Sequence, residues 1–293
     1  KLPPGTILKL QVGRSQFAFE ELPEPLPYWS LEDTINKGLE NPYDGSVSDA
    51  VDSLDRLLRD SVRQQMVADV PLGAFLSGGV DSSTIVALMQ AQSSRPVKTF
   101  TIGSYSAGYN EALHAKAVAR HLGTEHTELY VSPQQAMDVI TRLPSLYDEP
   151  FSDSSQIPTY LVSELTRQHV TVSLSGDAGD ELFGGYNRYY FANSMWGNIS
   201  KIPLKLRRRL ANAIMVLSPG QWNNIIKQVK QFMPPEWRFD NLGDKIHKGA
   251  GILGCNSLDA LYYGLVSHWN SPSSFVIGGR EPKTLLSKQE PSL

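Results

Sequence analysis

Apolar residues in the first two thirds of the chain follow two spacings, one typical of amphipathic helices and the other typical of buried strands. Between Val47 and Val67 they recur every three or four positions, which predicts a helix with one apolar face. Short apolar runs predict four strands, over Val70–Leu76, Val97–Ile102, Thr127–Val131 and Val170–Leu174. Further helices are predicted between these strands, over residues 81–90 and 110–122, from Ser132 onward, and over residues 157–168. The alternation favours an α/β fold with a doubly wound, mostly parallel sheet between residues 46 and 192.

Local signals support the ends of two of these helices. Gly123 follows the last apolar position of the helix over residues 110–122, where a left-handed glycine often ends a helix. Ser132 and Gln135 form a capping-box pattern with Pro133 at the first helical position. The helix that begins there therefore has both a chemical cap and a fixed backbone start.

The strand that ends at Leu76 runs directly into Ser77-Gly78-Gly79-Val80-Asp81-Ser82-Ser83 and then into a helix. Gly78 and Gly79 remove the Cβ atoms that would keep the backbone away from an anion, and the free N–H groups of the first helical turn supply donors. The serine hydroxyls add further polar groups, and Asp81 offers a carboxylate to a magnesium ion. The run predicts a phosphate-binding turn, and the alternative interpretation is an ordinary strand–turn–helix connection capped by serines.

A second small-residue loop follows the fourth predicted strand, at Ser175-Gly176-Asp177-Ala178-Gly179-Asp180-Glu181-Leu182-Phe183-Gly184-Gly185-Tyr186. It carries three carboxylates. In doubly wound sheets ligands bind beyond the carboxyl ends of the strands, so both loops are expected at the ligand-binding edge. The alternative interpretation of the acidic residues is a solvated loop whose carboxylates cap a helix.

Composition narrows the class of protein. The chain has 293 residues, enough for a large core and more than one domain or subdomain, and its net charge of -3 argues against a nucleic-acid partner. Cys255 is the only cysteine, which excludes an internal disulfide and fits a reducing compartment. Neither a signal peptide nor an apolar run of about 18 residues is present, so we expect a cytoplasmic protein without a membrane span.

The first loop resembles the PP-loop of ATP pyrophosphatases, which cut ATP between its α- and β-phosphates. It is not a Walker loop, because no Gly-x-x-x-x-Gly-Lys-Ser/Thr string occurs in the chain. Together the two loops resemble the synthetase domain of glutamine-hydrolysing asparagine synthetase and its close relatives. Leu122-Gly123-Thr124-Glu125-His126 and the stretch from Asp148 to Tyr160 are also similar to that family. The resemblance covers residues 46–192 and implies an α/β fold of the adenine nucleotide alpha hydrolase type, followed by a helical region.

The resemblance also implies roles for individual residues. The pyrophosphate part of ATP would be held by Ser77, Gly78, Gly79, Asp81, Ser82 and Ser83. Phe75, Leu76 and Ile102 would lie at the adenine, and Ser175 and Gly176 near the ribose and α-phosphate. Asp81 and Asp180 would be the magnesium ligands. Asp177, where family members often have glutamate, would be the catalytic carboxylate beside the acyl-adenylate, and Ala178 replaces a common glycine.

The implied reaction is an ATP-dependent amide ligation: aspartate and MgATP give an acyl-adenylate and pyrophosphate, and ammonia from glutamine then displaces AMP. The expected partners are these small molecules, an N-terminal glutaminase domain in the full-length protein, and a second copy in a possible homodimer, with no nucleic acid and no membrane. Two alternatives stay open. One is a related ligase that amidates another carboxylate or closes a lactam ring, and the other is a degenerate ATP-binding or regulatory module.

Three domains are expected along the chain. Residues 1–45 resemble the last strands of the family's glutaminase domain and a linker, residues 46–192 form the ATP-binding domain, and residues 193–293 continue it with helices. The cysteine nucleophile of that glutaminase is expected before Lys1, and the family's downstream lysine is expected after Leu293. Within the helical region, Arg207-Arg208-Arg209 is predicted to be a solvated helix face.

Overall fold

A computed structural model describes residues 2–10, 23–105, 110–147, 153–229, 242–267 and 277–278. The chain divides into two compact units, Lys1–Gly176 and Asp177–Leu293. This division does not test the predicted domain boundary at residue 192, which stays a prediction. Among the helices that the structure describes, none has both the length and the apolar character that a membrane span requires.

The first unit is an α/β unit with strands and helices in alternation. Its elements are β1 (Thr6–Ile7), β2 (Leu26–Pro27), α1 (Leu31–Glu40), α2 (Val47–Gln65), β3 (Leu72–Phe75), α3 (Val80–Ala91), β4 (Lys98–Ser104), α4 (Ala112–Leu122), β5 (Glu125–Val131), α5 (Pro133–Ile140), α6 (Leu143–Leu146), α7 (Gln156–Arg167) and β6 (Val172–Leu174). The four longer strands form one parallel sheet in the order β5-β4-β3-β6, and β1 pairs with β2 in antiparallel fashion. The predicted α/β fold with a parallel sheet is confirmed.

The predicted helix ends are confirmed at atomic detail. The Ser132 hydroxyl accepts a hydrogen bond from the Gln135 N–H, and the Gln135 side chain accepts one from the Ser132 N–H, which completes the capping box of α5. Gly123 ends α4 in the left-handed conformation, with φ of 72°. Ser46 and Asp49 form a second capping box at the start of α2. Helix α1 was not predicted from the sequence.

Two apolar clusters cover the two faces of the parallel sheet. Ala74 and Leu76 pack with residues of α2, α3 and α4 in one cluster, whereas Ile102 packs with Leu129 and with residues of α5 and α7 in the other. Ala74 is in register with Thr99, and Ile102 lies three positions after Thr99. Because side chains alternate along a strand, Ile102 and Ala74 lie on opposite faces. The sheet is therefore doubly wound, as the sequence predicts.

A small polar group lies between β4 and the neighbouring β5 strand. The Thr99 hydroxyl, fully buried, lies 3.0 Å from the Thr124 hydroxyl and 2.9 Å from His126 Nδ1. His126 Nε2 is buried, and among the described residues it has no hydrogen-bond partner. Burial lowers the pKa of His126 below its usual value, the Lys116 cation lowers it further, and the Glu128 carboxylate opposes the shift. The fold therefore favours the neutral imidazole.

The second unit is helical throughout its described elements. These are α8 (Gly179–Phe183), α9 (Asn187–Ile199), α10 (Leu204–Met215), α11 (Pro219–Val229), α12 (Leu242–Leu253) and α13 (Leu258–Val266). Helices α10 and α11 both pack against α12. The helical continuation predicted after residue 193 agrees with α9–α13.

The prediction of a solvated arginine triplet is wrong at Arg207. Arg208 and Arg209 are exposed, but Arg207 is only 4% exposed and lies within 5.6 Å of the Trp196 ring centre. Its guanidinium donates to the carbonyl oxygens of Leu253 and Cys255, at 3.2 and 2.8 Å. Leu253 is the last residue of α12, so the buried cation satisfies carbonyl groups that a helix end leaves without partners.

The His126 environment predicts that the first unit loses stability as the pH falls. The unfolded chain takes up a proton on His126 near pH 6.5, whereas the folded chain resists it, so the free energy of unfolding decreases below about pH 6.5. We expect His126→Asn, whose side chain can still bond to Thr99, to show a smaller loss of melting temperature between pH 7.5 and 5.5 than the unchanged chain. Equal losses in the two proteins would contradict this account.

Candidate functional site

The candidate site lies at the carboxyl ends of β3 and β6, two neighbouring strands of the parallel sheet. After β3 the chain crosses through α3 to β4, whereas β6, on the other side of β3, is reached only after β5. The connections on the two sides of β3 therefore run in opposite directions. This is the position in a doubly wound sheet where the loops separate and leave a crevice for a ligand.

The turn after β3 is held together by its own serines. Ser77 Oγ lies 2.9 Å from Ser82 Oγ and accepts a hydrogen bond from the Gly79 N–H at 3.2 Å. Ser82 Oγ also accepts from the Ser77 N–H at 3.2 Å, and Ser82 is 8% exposed. The Ser77 and Ser82 hydroxyls thus fix the shape of the turn before any ligand arrives.

The first turn of α3 presents backbone donors at this site. The first hydrogen bond inside the helix runs from the Ser83 N–H to the Gly79 carbonyl, at 3.1 Å. The N–H groups of residues 80–82 precede it and therefore have no partner within the helix. Such groups, together with the positive end of the helix dipole, favour an anion. Asp81 lies in the same turn and is partly exposed.

Two glycines of the site occupy positions where a Cβ atom has no room. A Cβ on Gly176 would lie 2.6 Å from the Ser82 amide nitrogen, so the loop after β6 passes directly over the first turn of α3. A Cβ on Gly78 would lie 2.6 Å from the Ala115 nitrogen of α4, and Gly78 has a φ of 81°. The predicted ATP-binding residues Gly78, Ser82 and Gly176 therefore come together at one point of the first unit.

The three residues predicted at the adenine are divided between the two faces of the sheet. Leu76 is 1% exposed, and its side chain packs in the cluster with α2, α3 and α4. Phe75 is in register with Phe100, two positions before Ile102 on β4, so Phe75 and Ile102 lie on the other face. Any contact of Leu76 with a nucleotide would therefore involve its backbone rather than its side chain.

Ser83 and Ser175 complete the predicted ATP-binding set. The Ser83 hydroxyl is buried and, within the described part of the chain, has no hydrogen-bond partner. Ser83 lines, together with Val80 and Ala117, a groove between α3 and α4. Ser175 directly follows β6 and precedes Gly176.

In the second unit, the acidic loop forms a tight turn around Asp180. Asp177 precedes Ala178, which has a φ of 72° and is the one residue other than glycine with a positive φ in the described chain. The Gly185 N–H donates to the Asp180 carbonyl at 3.0 Å, and a Cβ on Gly185 would collide with the Asp180 carboxylate. The missing Cβ of Gly185 therefore makes room for that carboxylate.

Sequence reasoning missed a group of aromatic and charged residues that follows the acidic loop. The Tyr186 hydroxyl donates to the Glu181 carboxylate at 2.8 Å, and this bond raises the pKa of Tyr186. The Arg188 guanidinium lies 3.9 Å from the Tyr186 ring centre, and Tyr189 stacks on Tyr262 with ring centres 5.8 Å apart. These residues could have been found from the sequence, because Tyr186-Asn187-Arg188-Tyr189 directly follows the acidic loop.

The predicted magnesium ligand Asp81 lies at the start of α3. Among the described residues there is no group of three or more His, Cys, Asp or Glu side chains that could hold a metal ion. Asp81, beside the amide groups of α3, is a hard oxygen donor of the kind that binds Mg²⁺ together with phosphate oxygens. Residues 148–152 of the stretch that resembles the family lie outside the described residues.

Comparison with known proteins gives a consistent set of similarities. Residues 53–291 match the sequence model of the family described as asparagine synthase. The chain is 40% identical over 162 residues to asparagine synthetase 1 (glutamine-hydrolyzing) of Bacillus subtilis. The matched segment covers 55% of this chain and 25% of that protein. It is 31% identical over 196 residues to asparagine synthetase B (glutamine-hydrolyzing) of Escherichia coli, which covers 59% of this chain and 35% of that protein. The chain thus spans about a third or less of the length of these relatives.

Among solved structures, the chain is similar to an NMN synthetase from Francisella tularensis, with 17% identity and a TM-score of 0.33. The match covers 50% of this chain and 61% of that one. A similarity this distant adds nothing to what the sheet topology shows.

The close approach at Gly78 predicts a large difference between two neighbouring substitutions. Gly78→Ala places a Cβ against the backbone of α4 at a left-handed φ, so we expect a loss of about 2 kcal/mol or more in the free energy of unfolding. Gly79→Ala is the matched control, because Gly79 has a φ of -71° and its nearest neighbour, Ser77 Oγ, is 3.3 Å away. Its loss is expected to stay below about 1 kcal/mol. Similar urea midpoints for the two variants would contradict the geometry.

The strained backbone at Ala178 predicts a stabilising substitution. Ala178→Gly removes the Cβ from a left-handed residue, which we expect to raise the free energy of unfolding of the second unit by up to about 1 kcal/mol. Ala117→Gly, at an exposed position within α4, is the control and should lose about 0.5–1 kcal/mol. Denaturant titration measures both changes. A lower free energy of unfolding for Ala178→Gly would contradict the prediction.

Proposed function

Because this chain belongs to the asparagine synthase family, we propose that it is the ATP-using part of an amide ligase that activates aspartate. The observation that carries the proposal is the meeting of the Ser77–Ser83 turn with Gly176 at the amide groups of α3. A backbone that close, with no Cβ between the loops, suits a polyphosphate chain better than a bulky organic group. The region matched by the family includes both loops.

ATP is proposed to bind with its pyrophosphate part at this turn. The amides of residues 80–82 would face phosphate oxygens, and the hydroxyl of Ser83 supplies a further polar group in the same helix. The turn has no Walker lysine to bind the terminal phosphates, and attack at the α-phosphate is proposed from the resemblance to the PP-loop. Phe75 and Ile102, on one face of the sheet, would contact the adenine.

Asp81 and Asp180 are proposed as the ligands of Mg²⁺ on the protein side. Asp81 belongs to the first unit and Asp180 to the second, so this pairing rests on the family resemblance. The cation would neutralise the charge that collects on pyrophosphate as it leaves.

The chemistry proposed for the acceptor has two steps. A carboxylate oxygen of aspartate attacks the α-phosphorus of ATP, and pyrophosphate leaves. Ammonia then attacks the acyl carbon and expels AMP, while Asp177 takes the proton that the attacking nitrogen gives up. Asp177 directly precedes Ala178, whose left-handed conformation sets the direction of the backbone at this point of the loop.

Ammonia is proposed to come from glutamine through a separate glutaminase domain. Two relatives carry the words glutamine-hydrolyzing in their names, and this chain spans only part of their length. A homodimer and a cytoplasmic location stay proposals. The identity of the acceptor separates this reaction from amidation of another carboxylate or closure of a lactam ring. ATP turnover separates it from a degenerate ATP-binding module.

The proposal predicts that the full-length protein exchanges labelled pyrophosphate into ATP when aspartate and Mg²⁺ are supplied. Asp81→Asn removes a metal ligand and is expected to lower the exchange rate by roughly two orders of magnitude or more. Asp52→Asn, at an exposed position of α2, is the charge-matched control and should leave the rate unchanged. Production of ADP and phosphate, or exchange with other acids but not aspartate, would contradict the proposed reaction.

A further inference from the structure

Arg188 is a cation whose surroundings are incomplete in the described part of the chain. The residue is half-buried, and its guanidinium lies 3.9 Å from the centre of the Tyr186 ring. Its Nε atom is buried and has no hydrogen-bond partner among the described residues. A desolvated guanidinium nitrogen without an acceptor is unfavourable, so the site is suited to receive an acceptor from outside.

No described carboxylate forms an ion pair with Arg188. The charges of Asp180, Glu181 and Arg188 all act on the Tyr186 hydroxyl. Glu181 accepts the hydrogen bond of the Tyr186 hydroxyl, and the Asp180 carboxylate lies against Gly185. The two carboxylates therefore hold the loop, and they leave the guanidinium without an anionic partner in the described structure.

The fold presents Arg188 in a fixed orientation beside the acidic loop. Arg188 is the second residue of α9, and the Gly185 N–H bond to the Asp180 carbonyl ties the start of this helix to the loop. The Tyr186 ring lies against the guanidinium, and the Arg188 charge also acts on the hydroxyl of Tyr262, which stacks on Tyr189. A guanidinium held in one plane is the group that binds a carboxylate through two parallel hydrogen bonds.

We propose that Arg188 is a specificity-determining residue that binds the carboxylate of the acceptor that is not activated. This inference rests on the proposed function, because it deepens the description of the same acceptor site. For aspartate, the group bound would be the α-carboxylate, while the side-chain carboxylate reacts with ATP. Arg188 and the proposed catalytic Asp177 belong to the same compact unit. The amino acid is thereby distinguished from acids that carry a single carboxylate.

The test compares two acids that differ only in this carboxylate. In the full-length protein, pyrophosphate exchange is measured with aspartate and with β-alanine, which keeps the reacting carboxylate and lacks the α-carboxylate. Arg188→Gln is expected to raise the KM for aspartate roughly ten- to hundred-fold, because a charge-assisted contact is lost, and to leave the KM for ATP unchanged. The rate with β-alanine, which never makes that contact, is expected to stay the same.

Arg188→Lys keeps the charge but not the planar fork, so its KM for aspartate is expected to lie between those of the unchanged protein and Arg188→Gln. Tyr262→Phe is the control for packing in the same cluster. It should not change the exchange kinetics with one acid and leave those with the other acid unchanged. Equal losses with aspartate and β-alanine in Arg188→Gln, or an unchanged KM for aspartate, would overturn the inference alone. If none of the tested carboxylic acids supports pyrophosphate exchange by the unchanged protein, the proposed function is wrong, and so is the inference that rests on it.

Discussion

The candidate site depends on one steric constraint, the close approach of backbone segments at Gly176 and Gly78, where a Cβ atom has no room. Gly176 lies over the Ser82 amide, and Gly78 lies against the backbone of α4. The parallel register that places Leu174 beside Ala74 and Phe100 beside Phe75 brings these loops to the same edge. Apolar clusters on both faces of the sheet hold that register, so the packing of the core fixes the spacing of the loops.

In each unit, some polar side chains form hydrogen bonds within their own loop. The Ser77 and Ser82 hydroxyls bond to each other and within the turn, so the backbone amides at the start of α3 are the groups proposed to bind phosphate. In the second unit, Glu181 and Asp180 hold Tyr186 and Gly185, while Arg188 keeps a buried nitrogen without a partner in the described chain. Groups that shape the loops are thereby separated from groups suited to meet a ligand.

Much of the first unit could be predicted because its signals are local. The apolar runs, the Ser132 capping box and Gly123 each specify one strand or one helix end. Helix α1 was missed although Leu31, Ile35 and Leu39 recur at helical spacing after the Ser30 cap, and none of its residues is buried. The burial of Arg207 could not be predicted, because its partners at residues 253 and 255 are distant in sequence. Leu76 and Ile102 are also distant in sequence, and only the register of the strands shows that their side chains lie on opposite faces. The pairing of Asp81 with Asp180 stays a prediction.

Following one oxygen atom shows whether aspartate attacks the α-phosphorus of ATP, as proposed. Aspartate labelled with ¹⁸O in its side-chain carboxylate is incubated with the full-length protein, MgATP and ammonia, and the phosphorus products are analysed by mass spectrometry. An acyl-adenylate requires that one labelled oxygen leaves with AMP when ammonia attacks the acyl carbon. We therefore expect labelled AMP and unlabelled pyrophosphate. Label in inorganic phosphate, with ADP as the nucleotide product, would contradict the proposal.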